Sequence, residues 1–455
     1  MSEVRTERQA APRRGGSARL LGGAALVIGM ALAACTEEAR LPGERVDTRS
    51  AIGMAPVDAV PSGARAVAIA LPGQSTNADW TNRAGSADHA PGHVALRAQP
   101  QLVWSAGIGA ASRQRHRLVG DPVVAGGLVF AMDSDAQVTA VTTGGQVAWR
   151  ASAVPAGERV GGATGGGLAY GGGRVFASTG FGEVVAFDAA TGAVVWRQGV
   201  DVGIGGAPTV ANGTVYVSTR DGAGWAIRAA DGRALWQVQG SRAPAGQTGV
   251  SAPAVSGGTV VFPLQGGLLV GVDAASGERR WVRSLSGRRT GMAYANFGDV
   301  SGDPVIAGGT VYAGTSAGQM GATALASGQA QWTIPEGAAA PVAVAGGSVF
   351  AVTDAGRLVR VNAASGALVW AVDLPYDVHT RRAKNRREVV ENHGPVLAGG
   401  RLFIASSDGQ LRAFDPASGT MTGAVPIPGG AATGLAVAGN TAYVVSKDGK
   451  LLAFR

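Results

Sequence analysis

The 455-residue chain carries few side chains placed for covalent or metal chemistry. Its one cysteine, Cys35, has no partner for a disulfide or a thiolate metal set. His89 and His93 stand four apart, the spacing of a helical metal pair, but Pro91 and Gly92 between them break such a helix. His116, His379 and His393 sit singly in loop-like or arginine-rich stretches. Asp133 and Asp135, in "DSD", fall where a turn between strands belongs, and read as turn formers rather than a calcium loop. "GGATGGG" (Gly161 to Gly167) lies between strand patterns and opens no helix, so it reads as a turn and not as a phosphate cradle. No Ser/His/Asp or Cys/His set is apparent either. The residues therefore point to a protein without catalytic groups, metal or cofactor.

Cys35 has another chemistry open to it. Arg5, Arg8, Arg13, Arg14 and Arg19 precede the apolar run "LLGGAALVIGMALAAC", which is too short and too rich in small residues for a comfortable membrane span. It ends in "LAAC" (Leu32 to Cys35), which resembles a bacterial lipobox, where the thiol is acylated and becomes the mature N-terminus. The expectation is a signal peptide over 1–34 and a lipid anchor at Cys35. Enterobacterial lipoproteins keep an aspartate after the cysteine for inner-membrane retention; Thr36 stands there instead, which implies sorting to the outer membrane. Residues 35–76 are rich in Pro, Ala, Gly and Arg without lasting periodicity and read as a flexible tether, with a reach of roughly 35 Å. Residues 1–34 hold five Arg and two Glu, a net +3 of the formal +8, leaving a body at +5. No Lys/Arg run there is interleaved with aromatics, which argues against nucleic acid as a partner.

The body must be built of strands. With 73 Gly, 46% hydrophobic and only 15% charged residues, the composition suits many short strands joined by tight turns. One unit runs "DPVVAGGLVFAMDSDAQVTAVTTGGQVAW" from Asp121 to Trp149; similar units begin at Pro208, Pro253, Pro304 and Pro395, with degenerate copies near Leu168, Val342 and Leu435. Eight starts between 122 and 435 give a period of about 45 residues, that of a four-stranded propeller blade. "AGG", "ANG" or "SGG" supplies the hairpin between strands A and B, and "DAATG" or its kin turns strand C into strand D. Four residues after the last Gly of that turn stands a tryptophan: Trp149, Trp196, Trp236, Trp281, Trp332 and Trp370. Six at one repeat position are expected as a structural layer between blades.

The unit at Leu435 lacks a strand D, while "PQLVW" (Pro100 to Trp104) before the first unit is an orphan strand D with its own tryptophan, Trp104. The fold expected is all-β: an eight-bladed propeller over 77–455, monomeric, its last blade closed by the N-terminal strand around Pro100–Trp104 so that no sheet edge stays open. The connections from strand D to the next strand A all emerge on one face and vary in length, which marks a functional rim. The longest carries "HTRRAKNRREVVENH", whose Arg381, Arg382, Lys384, Arg386 and Arg387 read equally as a candidate docking patch for an acidic partner and as a solvated loop.

The blade pattern Ala186–Phe187–Asp188, Thr191–Gly192, Trp196 resembles the tryptophan-docking motif of pyrroloquinoline-quinone dehydrogenases. That resemblance implies a quinone held at the ring's centre on Ca²⁺ by Glu, Asn and Asp, with an Asp base and an adjacent cysteine pair. The chain has no second cysteine and lacks the long insertions of that family. The lipobox, the tether, "NADW" (Asn77 to Trp80), "QLVW" and eight repeats ending at strand C are similar to the BamB family of outer-membrane assembly lipoproteins. This resemblance implies a non-catalytic scaffold on the periplasmic face of the outer membrane. It would bind the POTRA domains of BamA, alongside other assembly-machinery lipoproteins, and aid insertion of outer-membrane proteins. The family's partner contacts map onto "AGQTGVSAP" (Ala245 to Pro253) and "FGDVSGDP" (Phe297 to Pro304). Asp299 matches an acidic contact, and Ser301 stands where a second Asp is usual. Ala245, Gln247 and Thr248 occupy the region of the family's Leu/Arg pair, so that Gln247, Thr248 and Gly249 are the contacts expected there.

Overall fold

The structure, a computed structural model, describes residues 63, 65–113, 116–240, 251–287, 298–376 and 389–455. Those residues form thirty-two strands and no helix. The strands pair into eight antiparallel four-stranded sheets, each one repeat of the sequence. Blades 1 to 7 cover 123–152, 166–199, 209–239, 254–284, 300–334, 343–373 and 392–426; blade 8 combines 436–454 with the strand Leu102–Gly107. That last strand pairs antiparallel with Lys450–Phe454, with Trp104 opposite Ala453. The N-terminal strand thus supplies the missing strand D, and the ring closes as expected.

Burial falls from the inner strands outward. In blade 1, strand B (Leu128–Met132) is buried at four of its five positions, while strand D (Val147–Ser152) is mostly exposed. Strands A to C are packed between neighbouring blades, so their apolar runs are nearly continuous; only strand D has a solvent face. The A–B hairpins turn on two consecutive positive-φ residues, Gly126 (58°) with Gly127 (79°) in blade 1 and Asn212 (49°) with Gly213 (76°) in blade 3. That backbone fits the twist of the flanking strands. The C–D turns of blades 2, 4 and 7 are held by an aspartate. In blade 2, Asp188 Oδ1 accepts from the N–H groups of Ala190 (3.2 Å) and Thr191 (2.9 Å). Asp273 does the same in blade 4, and in blade 7 Asp415 accepts from Ala417 N. Asp133 plays the same part in a B–C turn, Oδ1 accepting from Asp135 N and Gln137 N. Of the glycine-rich run 161–167, the last two residues already belong to strand A of blade 2, Gly166–Gly171.

The tryptophans lock one blade to the next. Trp149 donates its indole N–H to Ala189 O (2.9 Å), Trp196 to Ala229 O (3.0 Å) and Trp370 to Pro416 O (3.2 Å), each acceptor in the C–D turn of the following blade. Trp236, Trp281 and Trp332 repeat this, and Trp104 closes the series on Thr143 O. Each indole lies over the turn glycine: a Cβ at Gly192 would come within 2.6 Å of Trp149, and one at Gly419 within 2.8 Å of Trp370. Strand D of blade 7 carries Gly423 at this position, opposite Ala413, and has open space beside it. The reason is topological. Strands C and D of blade 8 come from opposite ends of the chain, so no C–D turn exists there for a tryptophan to cover.

Of the tether expected over 35–76, the structure describes residue 63 and residues 65–76. Residues 65–76 lie on the propeller: Val67 N donates to Ala417 O, Arg360 Nη1 donates to Val67 O (2.7 Å), and Ile69 and Leu71 pack on the core shared by blades 6 and 7. The compact unit runs Pro61–Arg455. Cys35 and the signal segment lie outside the described residues.

Candidate functional site

The residues that follow, 75–97, do what no repeat does: they thread the ring's centre as a plug. Each blade presents the backbone of its innermost strand to the central channel, and the plug pairs with seven of these eight edges, all but that of blade 6. Asn77 meets Val437 of blade 8; Trp80 exchanges two backbone hydrogen bonds with Val124 of blade 1; Thr81 O accepts from Tyr170 N of blade 2. The Asn82 carboxamide then pairs with both backbone groups of Val210 in blade 3. Ala87 O and Asp88 O accept from Val255 N and Ile306 N of blades 4 and 5, and Val94 N donates to Leu397 O of blade 7. Both histidines of the sequence pair are structural. His89 donates from Nδ1 to Pro304 O (2.8 Å); His93 donates from Nδ1 to Pro72 O (2.8 Å) and accepts from Gly400 N at Nε2 (2.8 Å).

Arg83 projects from the plug as a strut across the ring. Its Nε lies 3.3 Å from Asp121 Oδ2 of blade 1 and 3.2 Å from Asp303 Oδ2 of blade 5, on the opposite side. The carboxylates are tied in turn to further blades, Asp121 Oδ1 accepting from Gly434 N (2.7 Å) and Asp303 Oδ1 from Ala252 N (3.0 Å). Burial alone would lower the guanidinium's pKa, but the two carboxylates outweigh it and raise it. Burial pushes the His89 pKa down against the opposing pull of Asp303, keeping the ring neutral. None of Arg83, Asp121 and Asp303 was singled out from the sequence. Each occurs once, and the partners lie up to 220 residues apart.

Above Arg83 the ring opens as a funnel of about 250 Å³, lined by the D–A connections of all eight blades, among them Arg117, Ser251, Ser301, Glu391 and Thr433. Arg117 and Glu391 form an ion pair at its wall. On this face the structure brings the two expected partner-binding connections together. Ser251 Oγ donates to Val300 O (2.7 Å), and Ala252 N to Asp303 (3.0 Å), so the two connections are cross-linked by buried hydrogen bonds, with 298, 299 and 301 left half-exposed. Asp299 accepts from Gly266 N of blade 4 (2.8 Å) and is half-buried. Ser301 turns inward, its hydroxyl donating to Ala338 O (2.6 Å). Gln247, Thr248 and Gly249 lie outside the described residues, as do Arg381, Arg382, Lys384, Arg386 and Arg387.

The ring's centre does not fit the quinone–calcium set that the dehydrogenase resemblance implies. Among the described residues no three His, Cys, Asp or Glu side chains come together as a metal would need. Both carboxylates near the axis, Asp121 and Asp303, are already engaged by Arg83 and by backbone N–H groups. No helix among the described residues is long and apolar enough to cross a membrane.

Comparison with known proteins follows the same lines. The family model described as "Outer membrane protein assembly factor BamB" matches residues 134–372 and 355–455. BamB from Moraxella catarrhalis superposes with a TM-score of 0.63 at 18% identity, over 78% of this chain and 99% of that one. A quinohemoprotein alcohol dehydrogenase from Comamonas testosteroni gives 0.62 at 15% identity, over 84% and 81%. The computationally designed Ika8 protein gives 0.57 at 15%, over 78% and 99%. At such identities these structures share the fold with this chain, whatever each of them does. No curated protein matches the sequence.

Proposed function

The chain belongs to the outer membrane protein assembly factor BamB family, and from that premise we propose that it is a non-catalytic scaffold of the β-barrel assembly machinery. It is held at the periplasmic face of the outer membrane by a lipid on Cys35. Its partner is BamA, bound through the POTRA domains, and its task is to aid insertion of outer-membrane proteins.

The observation that carries this reading is that the half-exposed residues 298, 299 and 301 are braced from beneath by the buried connection 251–253. Two connections from successive blades are cross-linked by hydrogen bonds on the face where connection length varies. These buried hydrogen bonds hold the exposed positions above them in shape before a partner arrives, which lowers the ordering cost of binding. Asp299 offers a carboxylate there, and an interface commonly rests on a few such side chains.

Asp299 also holds the Gly266 turn, so two variants separate charge from structure. Asp299→Asn keeps an acceptor for Gly266 N and removes the charge; Asp299→Arg reverses it. Binding to purified POTRA domains should weaken with Asp299→Asn and fall further with Asp299→Arg, by about 30-fold for a dominant contact, with unchanged circular dichroism. Full binding by a folded Asp299→Arg protein would exclude this surface.

A further inference from the structure

Strand D is the outer edge of each blade, and in blade 6 the chain covers that edge itself with a strap that begins at Gly63. Gly63 pairs antiparallel with Ala371, its N–H donating to Ala371 O (2.7 Å). Val67 N then donates to Ala417 O (3.1 Å), in the C–D turn of blade 7. Two N–H groups four residues apart thus rest on two carbonyls, as in a strand added to a sheet edge. Leu368 and Val369 of that edge are half-buried.

Blade 8 repeats this edge and leaves it bare. Its strand D reads Leu102, Val103, Trp104 where blade 6 reads Leu368, Val369, Trp370, in the same register against strand C. Ser105 is therefore the counterpart of Ala371. Ile108 N donates into the sheet, to Gly449 O, as Leu374 N does to Gly356 O in blade 6. Three residues earlier, Ser105 and Ala371 both turn their peptide groups outward. Gly144 is the counterpart of Ala417, each following the carbonyl that takes the tryptophan N–H. Among the described residues nothing donates to Ser105 O or Gly144 O, and both residues are exposed. Leu102 and Val103 are 41% and 49% exposed. Charge is a common guard of such an edge, and blade 4 has Arg279 and Arg280 at these two positions, but Leu102–Gly107 carries none. One feature of blade 6 is missing. Arg360, opposite Trp370, grips the strap by donating to Val67 O (2.7 Å) and Ala68 O (3.2 Å), whereas Ala453 stands opposite Trp104. Without that grip an occupant of the blade 8 edge can leave, which suits a partner that comes and goes.

We propose that the outer edge of blade 8 is a docking site for an extended, apolar strand of a partner protein. The strand would add antiparallel to Leu102–Gly107, with one N–H on Ser105 O and a second, four residues on, at Gly144 O. Its apolar side chains would cover Leu102 and Val103. Arg150, which donates to Gly107 O (2.9 Å), marks the far end of the free edge.

The probe is the strap's own sequence, the peptide PSGARAVAIALP (residues 61–72), carrying a fluorophore and titrated with the folded protein. Its anisotropy should rise saturably. Val103→Lys sets a charge on the edge and should remove the binding, while Val282→Lys on blade 4, where Val282 is 48% exposed, should leave it unchanged. Both are surface changes that should keep the urea midpoint near the parent's. A peptide N-methylated at its Gly63 and Val67 nitrogens has lost both donors and should bind the unaltered protein about tenfold or more weakly. That comparison decides the matter even if Val103→Lys folds poorly. No saturable binding of the parent peptide would overturn the proposal. So would full binding by a folded Val103→Lys protein, which would place the peptide elsewhere, in exchange with the strap on blade 6. Full binding by the methylated peptide would mean apolar adsorption and overturn it too. Dimers of the protein alone that Val103→Lys dissociates would assign the edge to a second copy, again against the proposal. The proposal does not rest on the scaffold function, and the two can fail separately.

Discussion

Arg83 is ion-paired to two carboxylates, and its loss would remove the guanidinium from both near the axis of the ring. Removing one partner of a buried ion pair costs about 3–5 kcal/mol. Arg83 keeps 21% of its side-chain exposure and Asp121 12%, so the low end applies: Arg83→Met should lower the unfolding free energy by about 3 kcal/mol, read from urea denaturation. His89 sets a pH dependence. Burial holds its pKa below 6.5 in the folded protein, with Asp303, Asp88 and Arg83 around it, and His393 is lowered in the same way. Below about pH 6.5 the unfolded chain takes up protons that the folded chain refuses, so stability present above that pH is lost as the pH falls through it. The urea midpoint should drop between pH 7 and 5, and His89→Asn should flatten the drop. Little of this was legible beforehand. Each of these residues appears once, without a repeat to amplify it, and its meaning depends on partners brought together only when the ring closes.

At the scale of the element, repetition made the sequence readable. Seven tryptophans, seven turn glycines and eight strand patterns state one packing rule over and over, and the rule even accounts for its exception at Gly423. It also predicts opposite outcomes for two neighbouring glycines in blade 7. At Gly419, φ is +75° and a Cβ would press on the Trp370 ring, so Gly419→Ala should destabilise by more than about 2 kcal/mol. At Gly423 nothing lies within 4 Å, so Gly423→Ala should stay within about 0.5 kcal/mol of the parent by thermal or urea unfolding. The plug and the strap before it were harder to foresee. Their backbone partners belong to seven different blades, so they need no pattern of their own. One trace was present: Val67, Ile69 and Leu71 alternate with exposed residues in an extended segment, and all three are the half-buried positions. Composition outweighed that signal and assigned the stretch to the tether.

For the whole molecule, the two faces of the ring divide the work. The strap meets the propeller on the side of the A–B and C–D turns, at Ala417 and beside Gly346. The funnel and the half-exposed residues 298, 299 and 301 lie on the other side, with the D–A connections. In the proposed function, a partner bound on the D–A face would not meet residues 65–76, which lie on the other. Fold and family were legible because the repeat period, the orphan strand and the single cysteine each restrict the whole chain at once; the contact residues were not, because their effect depends on a partner surface. The scaffold account is tested most directly by crosslinking the lipidated protein in its native envelope, purifying it and identifying what is bound. The account predicts recovery of BamA together with other assembly lipoproteins. Efficient crosslinking that repeatedly yields other envelope proteins and no BamA would contradict it.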